Sequence, residues 1–168
     1  MGSGKSSVGK ALSQCVDIPY IDLDSYIEIQ EKSSVEKIFS SRGELYFRKK
    51  ERQYLEELLS RKEPIILSLG GGTPCYYDTM KLIVNSKAVS FYLKASIKTL
   101  ASRLGKEKNQ RPLISHLENE ADLQEFIGKH LFERLSFYSE ASHIIDVDEL
   151  TPEVISLKIE ELTQINSV

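Results

Sequence analysis

The residues best equipped for chemistry stand at the front of the chain, where Gly2, Ser3, Gly4, Lys5, Ser6 and Ser7 follow Met1. They match the end of G-x-x-x-x-G-K-[ST], a phosphate-binding loop set between a strand and a helix. The glycines let the backbone curl until successive N–H groups converge on phosphate oxygens. In such a loop Lys5 brings a positive charge to the β- and γ-phosphates of a nucleotide, and Ser6 offers its hydroxyl to Mg²⁺. A helix over residues 5–14 adds its positive N-terminal end. Its apolar residues Val8, Leu12 and Cys15 recur at helical spacing, which favours this reading over a disordered glycine-rich terminus. The first glycine of the pattern would fall two places before Met1, behind the apolar strand that delivers such a loop. The expectation is a protein that begins upstream.

Two acids, Asp22 and Asp24, close an apolar stretch at 18–24. Strand alternation would set both carboxylates on one side, at the strand's carboxyl end, where α/β proteins gather ligands. In the competing reading Asp24 caps a helix starting at Ser25. Gly70, Gly71 and Gly72 follow the buried-strand pattern at 64–69. They strip side chains from a place where a ligand can meet the backbone, or else form a flexible connection. Arg111 lies in a polar stretch bounded by Gly105 and Pro112 and suited to a mobile lid; its planar guanidinium fits phosphate. Read alone, that stretch is a surface loop. Arg48 and Arg134 fall on long predicted helices, where a single arginine is most often solvated.

The elements that must position these residues can be read from periodicity. Strand patterns at 18–24, 64–69, 88–93 and 143–147 alternate with helical ones at 25–32, 33–39, 44–62, 77–84, 97–104 and 120–139, and from Thr151 onward. Arg42 and Gly43 break the helix at 33–39 from the one at 44–62. The predicted apolar stripes are Leu45, Tyr54, Leu55, Leu58 and Leu59, then Leu123, Phe126, Ile127, Leu131 and Leu135, then Val154, Leu157, Ile159 and Leu162. The alternation predicts a three-layer α/β/α domain with a parallel sheet.

Bulk properties narrow the classes. The chain has 168 residues, 40% hydrophobic and 28% charged, which suits one domain with one sizeable core. A net charge of −3 argues against nucleic acid as the main partner. No apolar run approaches the length of a membrane span, and no signal peptide is visible. Cys15 and Cys75 have neither metal nor redox spacing, so reduced cytoplasmic thiols serving as small core residues are expected.

Taken together, MGSGKSSVGK at 1–10, YIDLD at 20–24, GELYFR at 43–48, SLGGG at 68–72, QRPL at 110–113, and Glu133-Arg134 with Tyr138 resemble the shikimate kinase family in order and spacing. The resemblance covers residues 1 to about 147. It implies an NMP-kinase-like α/β fold with a five-stranded parallel sheet whose first strand is missing here. It also implies one domain over 1–168, a substrate-binding helical region at about 25–62 and a lid at about 105–119. The implied reaction carries the γ-phosphoryl group of ATP to the 3-hydroxyl of shikimate, in aromatic amino-acid biosynthesis. By position, Gly2 to Ser7 hold ATP with Arg103 and Arg111. Ser6 ligates Mg²⁺, and Asp22, helped by Ser68, reaches it through water. Asp24 takes the substrate hydroxyl, Arg48 and Arg134 its carboxylate, and Gly71 and Gly72 offer backbone contacts. Lys5, Asp24 and Arg111 are the implied catalytic set, in a cytoplasmic monomer with no nucleic-acid or membrane partner. A gluconate-type kinase would share the loop and lid without needing Asp24, Arg48 and Arg134. A non-catalytic ATP-binding module would not need Lys5, Asp24 and Arg111 together.

Overall fold

The computed structural model describes residues 2–106, 112–117 and 119–164. Gly4 adopts φ 89° and ψ 15°, a left-handed conformation that side chains disfavour, and so turns the loop into α1 (Lys5–Val16). There follow β1 (Tyr20–Asp22), α2 (Leu23–Glu31), α3 (Val35–Leu59) and β2 (Ile66–Ser68). A 3-10 turn at Thr73–Cys75 leads to α4 (Thr79–Asn85), β3 (Phe91–Lys94), α5 (Ile97–Lys106), α6 (Pro112–Ser115), α7 (Glu120–Tyr138), β4 (His143–Asp146) and α8 (Pro152–Thr163).

Both strand pairs are parallel. Tyr20, Ile21 and Asp22 face Ile66, Leu67 and Ser68, while Phe91 to Lys94 face His143 to Asp146. The pairs form two separate two-stranded sheets, and among the described residues β2 and β3 are each paired along one edge only. Between them runs a cavity of about 730 Å³, lined by Leu12, Leu58, Ile66, Leu67, Phe91 and Leu93 among others. The apolar interior is correspondingly divided. One cluster gathers Val8 and Leu12 of α1, Leu100 and Leu104 of α5, Ile127 of α7, Ile145 of β4 and Ile159 of α8. The other gathers Leu23 and Ile27 of α2, Phe47, Leu55 and Leu58 of α3, and Met80 and Ile83 of α4.

Gly43 has φ 81° and ψ 170° and kinks α3 where the sequence predicted a break between two helices. Glu31 fastens α2 to the helix beyond that kink. Its carboxylate accepts hydrogen bonds from Tyr46 at 2.6 Å and Tyr54 at 2.7 Å, and pairs with Lys50 at 3.3 Å and Arg42 at 3.4 Å. Those hydroxyl donors, Tyr46 first, hold its pKa down to about 2.

Several predicted stripes shift. Leu45 is 76% exposed, and Phe47 is buried in its place, because the Gly43 kink resets which face of α3 meets the core. On α8 the buried residues are Ile155, Ser156 and Ile159, while Val154, Leu157 and Leu162 are exposed: packing against α1 selects a row offset from the predicted one. Leu135 is also exposed, near the end of α7. Cys15 is exposed, Val16 taking its place in the core, and Cys75 is half-buried, so neither thiol fills the core. Arg111 and Glu118 lie outside the described residues, as do positions 107–110 of the expected lid.

Unpaired strand edges beside an apolar cavity invite pairing. Adding an apolar strand segment ahead of Gly2, long enough to run between β2 and β3, should therefore raise both solubility and the thermal unfolding midpoint. Equal solubility and an equal midpoint for the two chains would show that the cavity needs no such filling.

Candidate active site

Asp22 is where sequence and structure part. Strand β1 stops there because the Asp22 side chain caps α2, its Oδ1 accepting from the backbone N–H of Asp24 at 3.1 Å and of Ser25 at 3.3 Å. Asp24 is thus in the first turn of a helix, not two places along a strand, and the cap is Asp22 rather than Asp24. The other oxygen, Oδ2, accepts from Tyr20 Oη at 3.3 Å and lies 3.5 Å from Ser6 Oγ. A hydroxyl and a carboxylate therefore stand together at the phosphate loop. Among the described residues no group of three His, Cys, Asp or Glu side chains could hold a metal ion. Such a sparse set of oxygen donors fits Mg²⁺, which prefers one or two protein ligands together with phosphate oxygens and water.

Around the loop, Arg103 of α5 extends Nη1 to within 3.4 Å of the Gly2 carbonyl. Its guanidinium therefore sits against the loop backbone.

Asp24 is half-buried, and its pKa is pushed up to about 6 by burial first, then by Asp22 and Glu51, against the pull of Lys5 and Arg48. Its Oδ1 stands against the glycine turn, 3.4 Å from where a Cβ on Gly70 would lie. Arg48 is held on two edges: Nη1 donates to Glu51 at 2.9 Å and Nε to Glu44 at 3.2 Å. Glu51 is 2% exposed and also accepts from the Thr73 hydroxyl at 2.6 Å, tying α3 to the turn after the three glycines. Across the cleft, Tyr138 of α7 donates its hydroxyl to the Gly71 carbonyl at 2.6 Å and packs on Tyr92. Arg134, one turn earlier, stands near the Tyr138 hydroxyl and lowers its pKa against the larger rise from burial. Burial raises the pKa of the Cys75 thiol, while Arg134 and then Arg48 lower it, so both arginines act on the same small region beside the glycine turn.

Lys5, Gly70, Gly71, Arg134 and Tyr138 line the same cavity, with Asp24 against Gly70 and Arg48 against Gly72 at its edge, Ser6 and Asp22 together at the phosphate loop, and Arg103 on the loop itself. Arg111 is outside the described residues. Glu51, Thr73 and the Tyr138–Gly71 bond were not foreseen. Glu51 had a visible signal: it is an acid between Phe47 and Tyr54 on the buried stripe of α3, three residues after Arg48. The Tyr138 acceptor had none, because its partner is 67 positions away.

Comparison with known proteins now bears on the cleft. A family model described as shikimate kinase matches residues 1–164. The chain belongs to the shikimate kinase family. The shikimate kinase of Flavobacterium johnsoniae is 46% identical over 151 residues, covering 90% of this chain and 87% of the relative. That of Flavobacterium psychrophilum is 42% identical over 152 residues, covering 90% and 88%. Among solved structures, shikimate kinase from Bacteroides thetaiotaomicron superposes with a TM-score of 0.88 at 34% identity, covering 98% of this chain and 94% of the other. The Acinetobacter baumannii enzyme in complex with shikimate gives 0.84 at 27%, covering 98% and 88%. These neighbours agree with the NMP-kinase-like α/β fold, and the family uses ATP with Mg²⁺.

A half-buried carboxylate beside two other acids carries a cost. Its pKa is raised on folding, so the penalty is absent below about pH 4, grows between pH 4 and 6, and is fully present at pH 7 and above. Asp24→Asn should therefore stabilise the fold at pH 7.5 by roughly 1–3 kcal/mol and show little effect at pH 4. Denaturant unfolding at the two pH values measures this; equal shifts at both would place Asp24 in an ordinary environment.

Proposed function

We propose that this shikimate kinase family member transfers the γ-phosphoryl group of ATP to the 3-hydroxyl of shikimate, with the residues of this cleft in the following roles. The observation that carries the assignment is Asp24, a half-buried carboxylate set against Gly70 and acted on at once by Lys5 of the phosphate loop and Arg48 of α3. A hydroxyl acceptor bound there meets the phosphate donor on one side and has its acid group directed to the other.

Gly2 to Ser7 hold the phosphates through backbone N–H groups, and Lys5 neutralises charge on the group being transferred. Ser6 and Asp22 would hold Mg²⁺, which supplies further neutralisation of phosphate charge when bound. Arg103 steadies the loop, and Arg111, carried over from the family pattern, completes the cationic set from the lid. Arg48 and Arg134 take the carboxylate; a guanidinium can bind such a group through two parallel hydrogen bonds. Glu51 and Glu44 fix the direction of Arg48. Gly71 and Gly72 present backbone where side chains would obstruct. Asp24 accepts the hydrogen bond of the attacking hydroxyl, orients it and takes its proton late. Its raised pKa makes it a better proton acceptor than an ordinary aspartate, provided the pH stays above about 6.

The chain acts as a single domain over 1–168, with the helical region at 25–62 on the acceptor side and the lid at 105–119 closing over the donor. It works as a cytoplasmic monomer with no nucleic-acid or membrane partner. Among the described residues no helix is long and apolar enough to cross a membrane.

ADP release measured with Mg²⁺, ATP and a panel of acceptors tests the assignment: shikimate should be phosphorylated and gluconate should not. Turnover on gluconate alone would point to a different sugar-acid kinase, and nucleotide binding without turnover on any acceptor to a binding module. Arg48→Ala should weaken shikimate binding by about 2–5 kcal/mol while leaving ATP binding nearly unchanged. Lys5→Ala should chiefly lower turnover. With shikimate well below saturation, kcat/KM for shikimate should fall along an acidic limb near pH 6 set by Asp24 of the free protein.

A further inference from the structure

The guanidinium of Arg48 also neighbours two aromatic rings that the proposed roles leave unused, Phe47 with its centroid 5.3 Å from the guanidinium carbon and, closer, Tyr76. The Tyr76 ring lies under it, with the guanidinium carbon 4.2 Å from the ring centroid. A Cβ built on Gly72 would come within 2.8 Å of Nη2, so the group also packs closely on the backbone of the glycine turn. The segment bearing Tyr76 is fastened independently. Arg52, one turn beyond Arg48 on α3, donates to the Tyr77 carbonyl, and Tyr77 and Asp78 take left-handed φ values of 51° and 55°. Arg48 thus has its Nε edge on Glu44, Nη1 on Glu51, and one flat face on an aromatic ring. Among the described residues, Nη2 has no hydrogen-bond or ion-pair partner, which leaves that corner for an incoming anion.

We propose that Tyr76 is a positioning residue for acceptor binding: its ring fixes the plane of the Arg48 guanidinium so that Nη2 meets the substrate carboxylate. This rests on the reading of Arg48 as a carboxylate ligand. The glutamates restrain the guanidinium by its edges, which still allows it to tilt about them. A ring face removes that freedom through the attraction between a cation and a π-system. Tyr76 itself is 39% exposed and fills no core space, so its replacement leaves the packing largely intact.

The test compares Tyr76→Leu, Tyr76→Phe, Arg48→Ala and the double variant Tyr76→Leu/Arg48→Ala in the whole chain. It measures KM for shikimate, KM for ATP and the unfolding midpoint, with calorimetric shikimate titration where turnover is too low. Tyr76→Leu should raise the shikimate KM by about 3- to 30-fold, the range of a cation–π contact, with kcat and the ATP KM little changed. Tyr76→Phe keeps the ring face and should stay within about twofold of the parent. The leucine substitution should add nothing once Arg48 is absent. If Arg48→Ala weakens shikimate binding while Tyr76→Leu does not, the role of Tyr76 is overturned and that of Arg48 stands. Tyr76 loses its role equally if phenylalanine behaves like leucine, if the ATP KM moves in parallel, or if the leucine effect persists without Arg48. If Arg48→Ala leaves shikimate binding unchanged, the reading of Arg48 fails and this inference fails with it.

Discussion

The cleft depends on a buried ion pair. Glu51 and Arg48 share a hydrogen bond in a place where Glu51 is almost wholly removed from water, and Glu51 also holds the Thr73 hydroxyl. Desolvating two charges is expensive, and such a pair is seldom a net source of stability compared with apolar side chains of similar size. What it supplies is direction. One carboxylate simultaneously aims the arginine and anchors the turn that follows the glycines. Breaking it from one side would strand a buried charge, so the arrangement is kept as a unit or lost as a unit.

Around this pair the electrostatics are crowded. Asp22 and Glu51 act on Asp24 against Lys5 and Arg48, and Arg134 joins Arg48 in acting on Cys75 nearby. The acids alone would repel, and the cations alone would have no fixed geometry. Interleaved, they form a preorganised field into which a polyanionic donor and an anionic acceptor can enter without the protein rearranging its dipoles. Phosphoryl transfer asks for positioning and charge neutralisation more than for covalent chemistry, and the cleft is built accordingly.

The parts of the chain that could be read from sequence are those whose signals are local. The Gly4-Lys5-Ser6 loop, the helix start at Thr151, the break at Gly43 and the alternation of strands with helices all reside in a few consecutive residues. Asp22 departs from its sequence reading because capping and strand alternation compete at the same carboxylate, and the cap prevails once the chain turns into α2. The α8 stripe departs from its own because several residues in 154–162 that could face inward are apolar or small, and only the neighbouring α1 decides among them. Glu51 looks in sequence like one more charge on a charged helix. Its meaning depends on Thr73, 22 positions away in sequence, which periodicity cannot detect.

The divided interior has a consequence for how a ligand and this fold affect one another. Arg48 stands on the helix packed in one apolar cluster, and Arg134 on a helix packed in the other. On the proposed roles, a small acid gripped by both arginines would be mortar between two blocks that otherwise meet through few side chains such as Phe137 of α7. Filling the cleft would do structural work as well as begin a reaction, and the empty protein would be the looser of its two forms.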